Sequence, residues 1–403
     1  MATNNSQNQA VILSAARTPI GKFLGALSSL SAPELGAVAV RAAVQRAGLD
    51  GRAPFDEVIM GNVVSAGVGQ APARQAGIFA GLDATVGATT VNKVCGSGLK
   101  AVMLAAQAIK AEDGHLYVAG GMESLSKAPF LVDGRGGLRY GSAQLTDAIQ
   151  KDGLIDPFEK WMMGDAAEFI AEEYEVSRYA MDEYALKSHQ KALAAMETGK
   201  FKQEIVPVEV KDKKGKVTLV ESDEGPRRDT SLEALAKLPA AFKPDGRVTA
   251  GNAPGLNDGA SAVVVASRKK ATELGKKSLA RVIGYAQAAV DPKHIFIAPA
   301  RAIPLLLEKV GWSLKDVDLI ELNEAYAAQV LADGYALADQ GWDWDKVNVH
   351  GGAIALGHPL GASGARVLTT LIHALKDRGL TRGIASLCLG GAEAVAMAIE
   401  IED

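Results

Sequence analysis

The sequence predicts an α/β protein made of two similar halves with an insertion between them. Short β-branched runs alternate with Ala-rich stretches of helical periodicity, which is typical of strands packed against helices. Three short segments recur in the same order near the two ends of the chain, which indicates a duplicated domain. A charged, Gly-containing stretch over residues 126–255 has no counterpart in this repeat and is predicted to be the insertion.

The strands and helices of this alternation follow from local patterns. Strands are predicted for the runs VILSA, DEVIMGNVV, HLYVAGG, SAVVVAS, RVIGYA, DLIELNEA and GIASLCLGG. Helices are predicted for ELGAVAVRAAVQRAG, GLKAVMLAAQAIKA, AIPLLLEKVG and ARVLTTLIHALKDRG. The predicted domains are residues 1–125 with 256–275 returning to them, the insertion 126–255, and residues 276–403.

The internal repeat distinguishes residues that recur in both halves, and so are expected to be structural, from residues found in only one half, which are candidates for chemistry. DEVIMGN, CGSGLKAV and VAGGME in the first half match DLIELNE, GASGARVL and CLGGAE in the second. Ser97 recurs in this alignment and is predicted to be structural. Cys95 is aligned with Gly361, and Cys388 with Val118, so the scaffold explains neither thiol.

Composition limits the functions available to the chain. A net charge of −4 and 48% hydrophobic residues are typical of a soluble globular protein and exclude nucleic acid as a main partner. No apolar run approaches the roughly 18 residues of a membrane span. The polar N-terminal segment lacks the pattern of a signal or transit peptide. Two cysteines do not make a disulfide framework, so the sequence predicts a cytoplasmic protein.

Cys95 is the first candidate for chemistry. It precedes GSG and an Ala-rich helix, so its sulfur is expected near a helix N-terminus, where free N–H groups stabilise a thiolate. Such an end together with an imidazole predicts a thiol pKa lowered to about 7. The alternative is a small buried hydrophobic residue, but the flanking glycines favour the approach of a ligand.

Two histidines lie in the Gly-rich segment NVHGGAIALGHPLGASGAR. His358, between Gly357 and Pro359, is predicted to be the base that takes the proton of Cys95. His350 is the weaker candidate and is interpreted as structural. The remaining histidines are expected to be non-catalytic.

Cys388 ends a predicted strand before two glycines. Its thiol could move a proton, act as a second nucleophile or form a disulfide with Cys95. A zinc site with the two histidines is disfavoured because no metal-ligand spacing is present, so no metal is expected.

Two polar candidates remain open to a structural explanation. Asn323 could donate to a developing oxyanion, directly or through water, or could cap a helix. Arg227 and Arg228, with lysines between positions 211 and 216, could bind phosphates or be merely solvated. No Walker loop or dinucleotide fingerprint opens a helix, so nucleotide chemistry lacks support.

Taken together, these motifs resemble the thiolase family over nearly the whole chain. The blocks that carry the resemblance are SAARTPIGKF, the nucleophile motif Asn92–Gly98, GMES at Gly121–Ser124, NEAY at Asn323–Tyr326, GGAIALGHPLGASGAR and CLGG at Cys388–Gly391. The resemblance is strongest to the biosynthetic acetoacetyl-CoA members. It implies a duplicated five-layered α-β-α-β-α fold with an inserted loop domain over the CoA channel.

The resemblance also implies a ping-pong acyl transfer. Cys95 would attack an acyl-CoA with His358 as its base, and Cys388 would deprotonate acetyl-CoA, whose enolate attacks the acyl-cysteine. The product of two acetyl-CoA would be acetoacetyl-CoA and CoA. Backbone N–H groups of Cys95 and Gly390 would form one oxyanion hole, and His358 with a water held by Asn323 the other.

CoA thioesters are expected as substrates, with no permanently bound cofactor. The resemblance implies CoA contacts from Leu154, Met163, Arg227, Pro254 and Tyr326. The segment GRGGLRYGSAQLTDAIQKDGL resembles the family's tetramerisation loop, so a homotetramer is expected.

The chain departs from the family pattern at several positions. Met162 replaces a His of the acetyl-specific members, Pro254 a Ser near pantetheine, and Ala392 a third Gly followed by Glu393. A 3-ketoacyl-CoA thiolase of broader chain length, acting in thiolytic cleavage, is therefore the alternative. A ketoacyl synthase would lack the second thiol, and a redox pair or an acyl-CoA carrier would not explain Cys95, His358 and Cys388 together.

Overall fold

The computed structural model describes residues 7–402. Its strands, in chain order, are β1 Ala10–Arg17, β2 Gly21–Lys22, β3 Glu57–Gly61, β4 Gly87–Val91, β5 Leu116–Ser124, β6 Phe130–Leu131, β7 Thr146–Asp147, β8 Val208–Lys211, β9 Val217–Val220, β10 Asn257–Ser267, β11 Ala280–Ala289, β12 Leu319–Leu322, β13 Arg382–Leu389 and β14 Glu393–Ile401.

The α-helices fall between these strands. They are α1 Ala32–Arg46, α2 Pro72–Ala80, α3 Ser97–Lys110, α4 Met163–Glu173, α5 Arg178–Glu197, α6 Leu232–Ala236, α7 Arg268–Glu273, α8 Ala298–Val310, α9 Ala327–Ala336, α10 Ala353–Leu356 and α11 Leu360–Arg378. Each run predicted as a strand or helix from the sequence overlaps an element of that type.

The two halves repeat one strand order. The first half runs β4-β3-β5-β10-β1 and the second β12-β13-β14-β11. In the first half β3 is parallel to both β4 and β5, and in the second half β12 is parallel to β13. The pairs that follow towards the junction are antiparallel. Val347 bridges β12 in parallel at the place that β4 takes in the first half. The halves join where β1 meets β11, at Val11–Arg281 and Ile12–Ala280.

Helices and sheets alternate as five layers. Helices α3 and α11 lie between the two sheets and share one core with both. Helices α1 and α2 cover the outer face of the first sheet, and α8 and α9 that of the second. The central helices approach closely through glycine, because a Cβ added at Gly364 would lie 2.4 Å from the backbone nitrogen of Leu99. A Cβ at Gly98 would lie 2.7 Å from the nitrogen of Ala365, so the contact is reciprocal.

One of the three sequence matches is out of register. The match DEVIMGN–DLIELNE makes Glu57 of β3 equivalent to Leu319 of β12. Glu57 pairs with Tyr117 and Leu319 pairs with Gly383, so Tyr117 and Gly383 are equivalent. Counting five residues along each strand makes Cys388 equivalent to Met122 rather than to Val118. The glycine pair explains the error, since Gly120–Gly121 lies inside β5 whereas Gly390–Gly391 forms the turn after β13. The CGSGLKAV–GASGARVL match agrees with the sheet register.

The insertion between β5 and β10 covers one end of the second half. It carries the hairpins β6–β7 and β8–β9 and helices α4 to α6. Helices α4 and α5 share a core with α9, Cys388 and Ala392, so the insertion packs directly over the end of β13. Across residues 7–402, no helix combines the length and the apolar character that crossing a membrane requires.

Candidate active site

A largely apolar cavity of about 320 Å³ lies where the two halves and the insertion meet. The predicted residues that line it are Cys95, Leu154, Met163, Pro254, Tyr326, His358, Cys388 and Gly390. Both thiols and the imidazole therefore share one cavity, although Cys95 and Cys388 are almost 300 positions apart in sequence. Arg227 and Asn323 are not among its lining residues.

A hydrogen-bonded turn presents Cys95 just before α3. The Ser97 hydroxyl accepts the N–H of Lys93 (2.8 Å) and donates to the carbonyl of Val94 (2.6 Å). The Asn92 side chain accepts the N–H of Val94 (3.1 Å). Val94 has a φ of +43°, a left-handed conformation that is costly for a β-branched residue. The turn thus carries strain directly beside the sulfur.

The thiol of Cys95 is neutral in this environment. Burial raises its pKa to about 12, and the charge of Glu123 acts in the same direction. The N–H groups of Gly390 and of Cys95 itself lower this pKa, but their effect is smaller than that of burial. The predicted lowering of this pKa to about 7 is therefore wrong, because the effect of burial outweighs that of the helix N-terminus.

His358 is held in one orientation by its neighbours. Its backbone N–H donates to the Asn257 side chain (2.9 Å), and its Nδ1 lies 2.6 Å from the Ser363 hydroxyl. That hydroxyl donates to the carbonyl of Pro359 (2.9 Å), so it accepts from Nδ1–H. Nε2 is then unprotonated and has no hydrogen-bond partner within residues 7–402. Burial lowers the pKa of His358 to about 3, which keeps the imidazole neutral.

Cys388 lies at the end of β13 and is only 2% exposed. Burial, and then the charge of Cys95, raise its pKa well above the ordinary value. Both cysteines are free thiols here. Beyond Cys388 the chain turns through Gly391 (φ +86°) and Ala392 (φ +59°), so alanine occupies a left-handed position that suits glycine. Ala392 tolerates this while fully buried.

Asn323 lies behind the cavity in a buried polar cluster. Its Oδ1 accepts from Arg366 (3.3 Å), which also pairs with Glu321 (3.3 Å). Its Nδ2 is buried and has no hydrogen-bond partner in the described part of the chain. Asn323 does not cap a helix, because α9 begins at Ala327 with Tyr326 as its N-cap. A buried amide nitrogen in this position is available to a water or a ligand.

The segment after Asn323 is anchored by Glu324. Its carboxylate accepts from Tyr184 (3.0 Å), Ser188 (2.7 Å) and Asn348 (3.0 Å) and from the N–H of Ile354 (3.0 Å). These partners belong to α5 and to the segment that leads to His358. The network therefore fixes Asn323 and His358 in one frame.

Comparison with known proteins decides the family. Residues 10–269 match the model of the thiolase N-terminal domain, and residues 276–401 that of the thiolase C-terminal domain. The chain belongs to the thiolase family.

Curated relatives and a solved structure agree with this assignment. An acetyl-CoA acetyltransferase of Pseudomonas aeruginosa is 52% identical over 96% of this chain and 98% of its own length. One from Cupriavidus necator is 52% identical over 97% and 98%. The crystal structure of the Bacillus anthracis acetyl-CoA acetyltransferase matches with a TM-score of 0.95 at 44% identity, over 99% of this chain and 100% of that chain. The predicted duplicated fold with its inserted loop domain is confirmed.

Aromatic side chains form one wall of this thiolase's cavity. Tyr326 packs edge-on against Phe296, with ring centroids 5.3 Å apart, and against Phe242 at 6.5 Å. Burial raises the pKa of Tyr326. Its side chain lines the cavity together with both thiols. The sequence motifs did not single out Phe242 or Phe296, because an isolated aromatic residue is more often part of a core.

Arg227 lies on the surface of the thiolase rather than in the cavity. Its side chain is exposed, and its backbone N–H donates to Nδ1 of His189 (3.1 Å). His350 is buried outside the cavity and packs edge-on against Phe201. Within residues 7–402 no cluster of three or more His, Cys, Asp or Glu is arranged to hold a metal ion.

Three functional neighbours were given no role in the sequence analysis, although Glu123 lies in GMES and Ser363 in GASGARVL. Ser363 and Asn257 orient His358, as described above. Glu123 accepts from the N–H groups of Val63 (3.1 Å) and Gly361 (2.9 Å), and so ties the two halves together beside Cys95. Burial raises the pKa of Glu123 to about 7. The repeat offered one signal, since Ser363 is the counterpart of Ser97, but recurrence alone favoured a structural role.

Proposed function

We propose that this chain is an acetyl-CoA C-acetyltransferase, which condenses two acetyl-CoA into acetoacetyl-CoA and CoA through an acyl-cysteine and also catalyses the reverse thiolysis. The observation that carries the proposal is that two free thiols and a neutral imidazole with an unpartnered Nε2 share one cavity. The full-length acetyl-CoA acetyltransferase relatives support the same activity.

In the first half-reaction, Cys95 attacks the thioester carbonyl of acetyl-CoA. His358 Nε2 takes the thiol proton. Because burial disfavours both the thiolate and the imidazolium, we expect this proton to move as the carbon–sulfur bond forms. The tetrahedral intermediate then breaks its bond to the CoA sulfur, which takes the proton of Cys388. The products are acetyl-Cys95, CoA and a Cys388 thiolate.

In the second half-reaction, the Cys388 thiolate removes a proton from the methyl group of a second acetyl-CoA. A high thiol pKa suits this step, because it makes the thiolate a stronger base. The resulting enolate carbon attacks the carbonyl of acetyl-Cys95. The Cys95 sulfur leaves and recovers its proton from His358, which returns every group to its starting state.

Each half-reaction places negative charge on a different thioester oxygen. The N–H groups of Cys95 and Gly390 converge beside the Cys95 sulfur, where the oxygen of an attacked carbonyl would lie. Nε2 of His358 and Nδ2 of Asn323 are buried nitrogens that have no hydrogen-bond partner among residues 7–402. A water bound to Asn323 would satisfy its amide and, with His358 as a donor, would complete the second oxyanion hole.

The remaining assignments follow the same proposal. Leu154, Met163, Pro254 and Tyr326 line the cavity that would hold the pantetheine arm, and the exposed Arg227 would meet the phosphates of CoA at the surface. A homotetramer is supported by the hairpin β6–β7, whose connection exposes Leu138 and Tyr140. We assign the enzyme to the cytoplasm, with CoA thioesters as substrates rather than resident cofactors.

The test is thiolysis of acetoacetyl-CoA by CoA, followed by the loss of enolate absorbance. Wild type should turn over, and Cys95→Ala and Cys388→Ala should each lose turnover by about 10³-fold or more. The two variants separate the roles, since Cys388→Ala should still accept acetyl on Cys95, with the proton held by His358 passing to the CoA sulfur in place of the missing Cys388 proton. Repeating the assay with longer 3-ketoacyl-CoAs measures chain length, which the apolar cavity and Met162 leave open to broader substrates. Absence of turnover at every chain length would contradict the proposal.

A further inference from the structure

The two turns that carry the thiols are joined by an ion pair outside the cavity. Lys93, two residues before Cys95, pairs with Glu393, which begins β14 five residues after Cys388. The two side chains are only 19% and 33% exposed, so solvent screens the pair less than a fully exposed one. We propose that Lys93 and Glu393 are positioning residues that hold the Gly390 turn against the Cys95 turn and so set the first oxyanion hole. The proposal rests on the function proposed above.

The contact that the pair would maintain is the one that matters most for acyl transfer. The N–H of Gly390 acts on the Cys95 sulfur and lowers the pKa of that thiol, yet these groups come from opposite halves of the fold. Apolar packing keeps the turns close, because a Cβ at Gly390 would lie 3.0 Å from Val94 and one at Gly96 would lie 2.4 Å from Leu389. Such packing fixes separation but leaves sliding of one turn along the other less restrained. An ion pair across the turns restrains that sliding.

Backbone strain adds an independent reason for such a restraint. Val94 (φ +43°) directly follows Lys93, and Ala392 (φ +59°) directly precedes Glu393. Non-glycine residues stay in the left-handed region only when their surroundings over-determine the conformation. Lys93 and Glu393 are thus each the sequence neighbour of the non-glycine residue of their turn that has a positive φ. Losing the pair would let both turns relax, and Gly390 would move relative to the sulfur.

The pair acts through geometry rather than through charge on the thiols. Neither Lys93 nor Glu393 contributes to the raised pKa of Cys95 or Cys388. The other nearby cation is Lys100 on α3, whose Nζ lies 3.4 Å from the Gln287 side chain and whose pKa is lowered by burial first and then by Lys93. The charge of Glu393 acts on Lys100 in the opposite direction, but Lys100 forms no ion pair with Glu393 within 4.0 Å in the described structure. Lys100 therefore serves as a control for the loss of a nearby positive charge without loss of the ion pair.

The experiment compares kcat and KM for thiolysis of acetoacetyl-CoA. Glu393→Gln keeps the size of the side chain and removes its charge, and Lys93→Met removes the partner charge. Each should lower kcat by about tenfold or more while KM for CoA stays within about twofold, because a small misplacement of a catalytic donor has effects of this order. The reversed pair, Lys93→Glu with Glu393→Lys, should recover most of the lost kcat. Lys100→Met should match wild type.

Thermal midpoints of all variants, measured in parallel, show that the comparison is made on folded protein. Wild-type kcat in both single variants would overturn the proposal. So would a reversed pair that is as slow as the single variants. Neither result touches the proposed function, which fails only if the wild-type enzyme shows no turnover in the same assay.

Discussion

The two copies of the turn that opens a central helix have the same scaffold and different chemistry. In the first half, the Ser97 hydroxyl accepts a backbone N–H and donates to a carbonyl of the turn. In the second, its counterpart Ser363 also donates to a turn carbonyl, but accepts from the His358 ring instead. A serine that supports backbone in one copy orients a base in the other.

This difference shows how duplication can build a two-sided active site. The helices α3 and α11 lie side by side between the sheets, so their N-terminal turns open on the same cavity. One turn supplies Cys95 and the other His358, while Cys388 comes from a strand end whose counterpart in the first half is Met122. The active site is therefore built from equivalent backbone positions of the two halves that carry different side chains.

Removing the His358 imidazole should have the largest effect on catalysis. His358→Asn keeps a polar side chain but provides no base, so acetylation of Cys95 should slow by about 10²- to 10⁴-fold. Quench-flow measurement of acetyl-enzyme formation gives this rate directly. The matched control is His350→Asn, in the same Gly-rich segment but outside the cavity, whose acetylation rate should stay within about twofold of wild type. An equal loss in both variants would contradict the assignment of the base.

Replacing the two equivalent serines should have different consequences in the two halves. Ser363→Ala leaves Nδ1 of His358 without its acceptor and frees the ring to turn, so kcat should fall by about tenfold with KM little changed. Ser97→Ala leaves the N–H of Lys93 without a partner, and should cost about 1–3 kcal/mol in the free energy of unfolding, with the smaller effect on kcat. Urea unfolding and steady-state kinetics on both variants check this. A larger loss of kcat in Ser97→Ala would reverse the two roles.

The smallest expected effect concerns the protonation of the Cys95 thiol, which is read from its rate of alkylation. Alkylation by iodoacetamide requires the thiolate, and the pKa of Cys95 is raised to about 12 by burial. Between pH 8 and 10 the alkylation rate of Cys95 in Cys388→Ala should therefore rise about tenfold per pH unit without a plateau.

No neighbouring group should disturb that slope. The His358 pKa is lowered to about 3, so the ring stays neutral throughout this range. Glu123, whose pKa is raised to about 7 by burial, is ionised throughout this range, so its unfavourable effect on the thiolate stays constant. A plateau with a midpoint near pH 7 would instead indicate a resting thiolate–imidazolium pair.

Most of the fold could be predicted from local pattern. Buried β-branched runs and Ala-rich helices are strong signals, and they placed most elements of both halves, although β4, β14, α2 and α9 were not predicted. The third repeat match was wrong because a Gly-Gly pair has no side chain to show whether it lies within a strand, as at Gly120–Gly121, or in a turn, as at Gly390–Gly391. The two situations look alike in sequence.

The candidate site was predictable as a set of residues but not as an environment. Gly-rich flanks singled out Cys95, Cys388 and His358, which the fold brings to one cavity. The predicted pKa of Cys95 was wrong because desolvation of the thiol depends on how the insertion and both halves enclose the sulfur, which local sequence does not show. The Lys93–Glu393 pair joins residues 300 positions apart, and no local pattern reports such a contact.

The most direct test of the account is to find where the acetyl group is held. Cys388→Ala is incubated with acetyl-CoA, quenched in acid, digested and analysed by peptide mass spectrometry, with Cys95→Ala treated in parallel. The account predicts stoichiometric acetylation of Cys95 and none in Cys95→Ala. Acetylation of another residue, or an unmodified Cys95 in an enzyme whose wild type turns over acetoacetyl-CoA, would contradict it.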